Sequence, residues 1–255
     1  MHPVAFRIGG LAVYWYGVLA ATALILGLWT ASRRAPRDGL PAEVIADLGI
    51  WLMIGAFAGA RLLYAVTFWR EEFAGRPWYE IFALRAGGVF YGGLMGASLV
   101  TMVYAWVRRL PLWKIADALA PSIALGHALG RIGCFMTGCC YGSPTALPWG
   151  VCFPPGHATH PQSVHPTQLY EAGLDALLYG GLAWRHRHKR YDGQVFAHYL
   201  IAYAVIRFGV EFFRGDYEVR YLGGWAKPGQ LVSLPILVIG LALAWRLRRN
   251  RPARP

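Results

Sequence analysis

Charged side chains stand inside apolar runs at three places in this chain, and each placement has a chemical meaning. A charge at bilayer depth costs about 2.5–3.5 kcal/mol on insertion scales, so it calls for a partner, a cavity or a task. The first place is Tyr203, Arg207, Glu211 and Arg214, spaced four, four and three apart and so expected on one helical face. As pure structure this would be a ladder in which Glu211 neutralises both arginines. Two guanidinium groups sharing one acid leave a surplus cation, and a surplus cation in a low-dielectric cleft suits a phosphate gripped by paired N–H donors. The second place is His127 with Arg131, four residues on; an arginine near a helix end can also simply snorkel to the interface. The third joins the glycine-rich segment Gly130–Gly142 to His165-Pro166-Thr167-Gln168-Leu169-Tyr170-Glu171. Its glycines let backbone amides come close to a ligand. Pro166 suits a first helical turn, and Glu171 shares a face with Asp175. A polar seam gluing helices together is the plainer account, but the density of such residues argues for a site.

These residues need a frame, and composition says which. The 255 residues are 56% hydrophobic and 15% charged, with a mean hydropathy of +0.36. Ordinary soluble domains carry about 25% charged residues, so the chain falls in the membrane class. Its apolar runs are Leu11–Ala31, Val44–Phe68, Val89–Val107, Ile115–Ile132, Thr167–Trp184, Gln194–Phe213 and Leu231–Leu247. They predict an all-α polytopic membrane protein with about seven transmembrane helices. A short interfacial helix is expected over Pro77–Arg85. No repeat or soluble insert interrupts the chain, so residues 1–255 read as one integral membrane domain. The first run has no small-residue cleavage site after it and reads as an uncleaved helix.

The formal net charge is +12. In a soluble protein that would point to nucleic acid. Here the cations gather in short loops between apolar runs, so no nucleic-acid partner is expected. Fifteen Lys and Arg residues lie in alternate loops, over Arg33–Arg37, Arg108–Lys114, Arg185–Arg190 and Arg246–Arg254. Seven lie in the others: Arg7, Arg70, Arg76, Arg85, Arg214, Arg220 and Lys227. That asymmetry puts the N-terminus outside and the C-terminus in the cytoplasm. The loop Gly133–Pro166, without Lys or Arg, then faces the exterior. Cys134, Cys139, Cys140 and Cys152 follow neither a common zinc spacing nor the redox Cys-x-x-Cys pattern. Apolar packing and a disulfide through Cys152 both stay open, and no metal or cofactor is expected.

Together these segments resemble the prolipoprotein diacylglyceryl transferase family over nearly the whole chain. The likeness runs through Trp15-Tyr16-Gly17, Gly59-Ala60-Arg61 and Gly87-Gly88-Val89-Phe90-Tyr91-Gly92-Gly93-Leu94. It continues through Gly130-Arg131-Ile132-Gly133, the His165–Glu171 segment, Arg207-Phe208-Gly209-Val210-Glu211-Phe212-Phe213-Arg214, and Gly229-Gln230-Leu231 with Pro235. The resemblance implies a seven-helix body in the bacterial inner membrane, its active site toward the periplasm. It implies transfer of the diacylglyceryl group of phosphatidylglycerol, a membrane lipid, to the lipobox cysteine of a prolipoprotein signal peptide, with glycerol phosphate leaving.

On that resemblance Arg131 and Arg207, with Arg214, hold the phosphate, and Tyr16, Tyr203 and Gln168 orient the headgroup. Tyr91 or Glu171 takes the thiol proton. Arg61, Gly92, Gly142, His165 and Glu211 complete the substrate site. The family's well-studied members carry His in the slot of Tyr91, Asn in that of Cys134 and Glu in that of Cys139, which marks a subgroup. The same departures leave room for a related transferase with a non-protein acceptor. A transporter or scramblase would be expected to show inverted repeats, and none is visible. A membrane thiol oxidoreductase would rest on Cys134, Cys139 and Cys140.

Overall fold

Gly9 decides how the chain begins. In the computed structural model, which describes residues 3–75, 77–82, 87–216, 221, 224 and 226–249, Gly9 is left-handed (φ 59°) and turns the chain back on itself. Val4–Ile8 (β1) and Leu11–Tyr14 (β2) pair antiparallel across the turn, Val4 opposite Tyr14 and Ile8 opposite Leu11. The first apolar run therefore divides: Leu11–Tyr14 is strand and the helix starts at Trp15. Leu11–Tyr14 is as apolar as the helix after it, so hydropathy does not separate them; the pairing partner does. A second small hairpin joins Val151–Cys152 (β3) to Ser163–Val164 (β4). The all-α expectation is corrected to a mostly helical chain with two hairpins among the described residues.

The helices are α1 (Trp15–Arg34), α2 (Ala42–Thr67), α3 (Phe90–Val107), α4 (Leu112–Thr137), α5 (Thr167–Arg187), α6 (Gln194–Glu211) and α7 (Pro228–Arg249). Of these, α1, α2, α3, α4 and α7 are long and apolar enough to cross a bilayer. Large apolar side chains point outward from them, Trp106 being 81% exposed and Phe57 70%, as lipid-facing surfaces require. The chain is a polytopic membrane protein. Helices α5 and α6 are less apolar because they carry buried polar residues, among them Glu171, Asp175, Gln194 and Glu211. Within the segment Pro77–Arg85, expected as a short helix, Trp78–Phe82 is a 3₁₀ turn, and residues 83–85 lie outside the described residues. Arg76, Arg85, Arg220, Arg251 and Arg254 of the loop-charge pattern lie outside the described residues.

Two compact units divide the chain. The first draws on Met1–Ala31 and Ala116–Pro255. Within it α6 packs against both α5 and α7, and Ala120, Ala124, Leu182, Val195 and Tyr199 from α4, α5 and α6 form a buried core. Helix α1 joins α4 where the Ser122 hydroxyl donates to the Gly27 carbonyl at 2.6 Å. Asp117, fully buried on α4, accepts from the Lys189 ammonium at 3.0 Å and from the backbone N–H groups of Gly193 (2.9 Å) and Phe196 (3.0 Å). A carboxylate from one helix thus caps the start of another, where the orphan N–H groups and the helix dipole favour negative charge.

The second unit is Ser32–Ile115, dominated by α2 against α3. The two backbones approach so closely that a side chain on Gly59 would run into the Gly92 carbonyl, and one on Gly96 into that of Gly55. Small residues at such crossings are what bring membrane helices into van der Waals contact.

Candidate active site

The centre is a chain of four charges built from three helices. Arg131 stands in the last turns of α4, Glu171 near the start of α5, and Arg207 with Glu211 in the final turn of α6. Glu171 accepts from Arg131 Nη2 at 2.9 Å through one oxygen and from Arg207 Nη1 at 3.3 Å through the other. Arg207 Nη2 lies 3.0 Å from Glu211 Oε2. The second oxygen of Glu211 accepts the Gly229 N–H of α7 at 2.9 Å. Both acids are buried, at 2% and 0% exposure, whereas the Arg131 and Arg207 side chains keep 20% and 16%. The guanidinium groups are the part of the centre that is open to the surroundings. Each has five N–H donors in a planar fork, so both retain directions for a phosphate besides those given to carboxylates.

The shared face expected along α6 is corrected at Arg214, and the purely structural ladder does not form. Glu211 pairs with Arg207 but not with Arg214, and the acids match the arginines because Glu171 arrives from α5. The physical reason is the end of α6 at Glu211. Beyond it the backbone tightens to i→i−3 bonds, the Arg214 N–H donating to the Glu211 carbonyl at 3.3 Å, and the three-residue step to Arg214 no longer keeps the α-helical face. Arg214 instead grips Asp216 with Nε and Nη2 at 2.8 and 2.5 Å, while its backbone bridges to Gly142.

That bridge explains Gly142. Its N–H donates to the His165 carbonyl at 2.9 Å, and a side chain there would meet both His165 and the Phe213 carbonyl. His165 itself hydrogen-bonds the Tyr170 hydroxyl at 3.1 Å, which accepts from Trp149 Nε1 at 2.8 Å. Gln168 is buried and donates to the Cys139 carbonyl at 2.7 Å, and Thr167 donates to the Cys140 carbonyl at 2.8 Å. The segment His165–Glu171 therefore clamps the glycine-rich loop and delivers Glu171 to the arginines.

The loop gathers sulphur. After α4 ends, Gly138 (φ 81°) and Cys140 (φ 63°) both take left-handed backbone, and the Cys139 N–H returns to the Cys134 carbonyl at 3.2 Å. The sulphurs of Cys134, Cys139 and Cys140 end within 4.8 Å of one another. The Cys140 thiol is pushed down, first by hydrogen bonds from the Cys134 and Cys139 thiols, then by the Arg214 and Arg131 guanidinium groups, against the opposing effect of burial. No spacing rule signals this cluster. Cys152, in β3, is exposed and unbridged, its sulphur 3.3 Å from the Pro161 carbonyl.

Tyr16, at the start of α1, packs on Gly133, where a side chain would touch its ring, and lies within the electrostatic reach of Arg131 and the three cysteines. Tyr203 sits one turn before Arg207 with its ring 4.9 Å from that of His127. So the structure brings together Tyr16, Arg131, Gly142, His165, Gln168, Glu171, Tyr203, Arg207, Glu211 and Arg214, all within the first unit. Asp216 joins them without having been expected, and Cys134, Cys139 and Cys140, read in the sequence as packing residues or the basis of a thiol oxidoreductase, gather beside them.

Arg61, Tyr91 and Gly92 belong to the second unit. The Arg61 guanidinium donates to the carbonyls of Ile81, Glu80 (3.0 Å) and Gly87 (3.2 Å), and lies over the Tyr64 and Phe73 rings. It ties the connection between α2 and α3. Gly92 is accounted for by the helix crossing. Tyr91 is half exposed at the start of α3, edge-on to Phe90.

The model of the family described as prolipoprotein diacylglyceryl transferase matches residues 3–246. A protein of Nitratidesulfovibrio vulgaris is 37% identical over 259 residues, covering 99% of this chain and 95% of that protein. One of Gloeobacter violaceus is 37% identical over 258 residues, covering 97% and 93%, and one of Trichormus variabilis 36% over 264 residues, covering 98% and 91%. Each of the three is called phosphatidylglycerol–prolipoprotein diacylglyceryl transferase.

Proposed function

The chain belongs to the prolipoprotein diacylglyceryl transferase family, and from that premise we propose that it moves the diacylglyceryl group of phosphatidylglycerol onto the lipobox cysteine of a prolipoprotein signal peptide. The observation that carries the proposal is the pair of guanidinium groups from α4 and α6, both steered by Glu171 and both open to a ligand. The reaction is displacement at the glycerol carbon that bears the phosphate. The acceptor sulphur must attack as thiolate, and negative charge grows on the departing phosphate. Arg131 and Arg207 are suited to meet that charge, already oriented before it appears. Tyr16 and Tyr203 flank them as hydrogen-bonding groups for the headgroup, and Arg214, neutralised by Asp216, takes a supporting place.

Glu171 acts as the positioning carboxylate for both arginines, since each of its oxygens is held by one. Gln168, His165 and Gly142 shape the loop, and Glu211 holds Arg207. Arg61 and Gly92 organise the second unit, in which Tyr91 stands in the family's His slot. On this proposal the protein sits in the bacterial inner membrane as a single domain of seven spans, N-terminus outside, with the arginine centre toward the periplasm. The loop charges support that orientation.

The test is incubation of purified protein in phosphatidylglycerol micelles with a peptide bearing a lipobox cysteine, followed by mass. A gain of one diacylglyceryl unit with release of glycerol phosphate is expected. A folded, lipid-binding protein that leaves the peptide unchanged would refute the proposal.

A further inference from the structure

We propose that Cys134, Cys139 and Cys140 bind a zinc ion as three thiolates, and that its fourth position takes the acceptor thiol and delivers it as the attacking thiolate. The binding of the ion stands on the structure alone; its role rests on the transfer proposed above.

Three sulphurs within 4.8 Å of one another approach the separation zinc imposes. Bonds of about 2.3 Å in a tetrahedron place sulphurs about 3.8 Å apart, so a contraction of the cluster closes it around an ion. The set is soft, all sulphur, which selects zinc over the oxygen-seeking cations. The loop is also built for it. Cys140 holds a left-handed conformation that non-glycine residues adopt only where the surroundings enforce it. The enforcing contacts are Thr167 and Gln168, each 1% exposed, which grip the Cys140 and Cys139 carbonyls. Metal ligands are commonly held by such outer partners. Cys139 is exposed while Cys134 and Cys140 are half-buried, so an incoming thiol has a side from which to approach.

Three protein donors are the pattern of catalytic rather than structural zinc, the remaining position being for water or substrate. A thiol that binds there releases its proton to solvent. Its zinc-held lone pair then forms the C–S bond as the C–O bond to phosphate breaks. The bonding electrons leave on the glycerol phosphate oxygen, beside Arg131. The thioether product is a poor ligand and departs, with no change in the oxidation state of any atom. Such a site supplies the thiolate without a histidine, in a chain that has Tyr91 in the His slot.

The full chain in detergent, reduced, thiol-counted and stripped by chelator, would be titrated with cobalt(II) alone. One ion per chain is expected, with a sulphur-to-cobalt charge-transfer band that zinc bleaches. Cys134→Ser, Cys139→Ser and Cys140→Ser should each weaken binding by about a hundredfold or more, as loss of a ligand exceeds the 10–100-fold effect of outer partners; Cys152→Ser should not. A lipobox cysteine peptide should intensify the band, and its serine counterpart should leave it unchanged. No band in the reduced, folded chain, or equal binding by the triple serine variant, overturns the site. A band indifferent to the peptide, or full transfer by the metal-free chain, overturns the role and leaves the transferase proposal standing. An intact, peptide-responsive band without transfer under any condition would strike that proposal and with it the role, and leave the binding of the ion standing.

Discussion

Arg207 is the residue on which most of the centre converges, because it touches both buried acids. Arg207→Ala leaves Glu171 and Glu211 short of a cation, and breaking a buried pair from one side costs about 3–5 kcal/mol. Transfer should fall by about 10²–10³-fold, the usual effect of removing one charge-stabilising donor. Adding Glu211→Gln should restore much of the stability, measured by thermal unfolding in detergent, without restoring transfer. Recovery of both together would mean that Arg207 only balances charge. Glu171 makes the complementary case. As a positioning group it should tolerate Glu171→Gln with a loss of about 10–100-fold and an unchanged pH–rate profile; a base would lose the acidic limb of that profile. Arg131, Glu171, Arg207 and their neighbours were legible in the sequence because ionised groups are rare inside apolar runs. The sulphur cluster was not, since it depends on two left-handed residues, Gly138 and Cys140, that fold the loop back toward Cys134. The pairing of Arg214 with Asp216 was hidden by the end of α6, which hydropathy places two residues late.

At the scale of elements, α2 and α3 cross so closely that Gly55, Gly59, Gly92 and Gly96 meet backbone to backbone. Gly96→Ala adds a methyl group directly against the Gly55 carbonyl. Overpacking of this kind costs about 1–3 kcal/mol, so the variant should melt earlier while Gly17→Ala, with open space around it, should not. An unchanged melting point for Gly96→Ala would mean that the helices separate without penalty. The positions of the helices were readable from the apolar runs, with ends displaced by a few residues. The β1–β2 hairpin was not, because its second strand shares the composition of the helix that continues it, and only the turn at Gly9 and the partner Val4–Ile8 distinguish the two.

For the whole molecule, the cation asymmetry between alternate loops predicts where the Gly133–Pro166 loop lies. In a variant with serine at Cys134, Cys139 and Cys140, the exposed Cys152 should react with a membrane-impermeant maleimide in intact spheroplasts. A cysteine introduced as Arg187→Cys should react only after lysis. The opposite pattern would invert the orientation and place the arginine centre toward the cytoplasm. The division into two units also has a bearing on how the protein is made. The first unit is drawn from both sides of the second along the chain, so α1 leaves the ribosome well before Ser122 and Gly133, against which it packs. Synthesis runs at about 5–20 residues per second, which puts the translation of residues 32–115 on the order of ten seconds. During that interval α2 and α3 can close on each other while α1 waits in the translocon or the lipid. The arginine centre, needing α4, α5, α6 and α7, is assembled last, and a chain stalled before α7 would be inserted but without a complete centre.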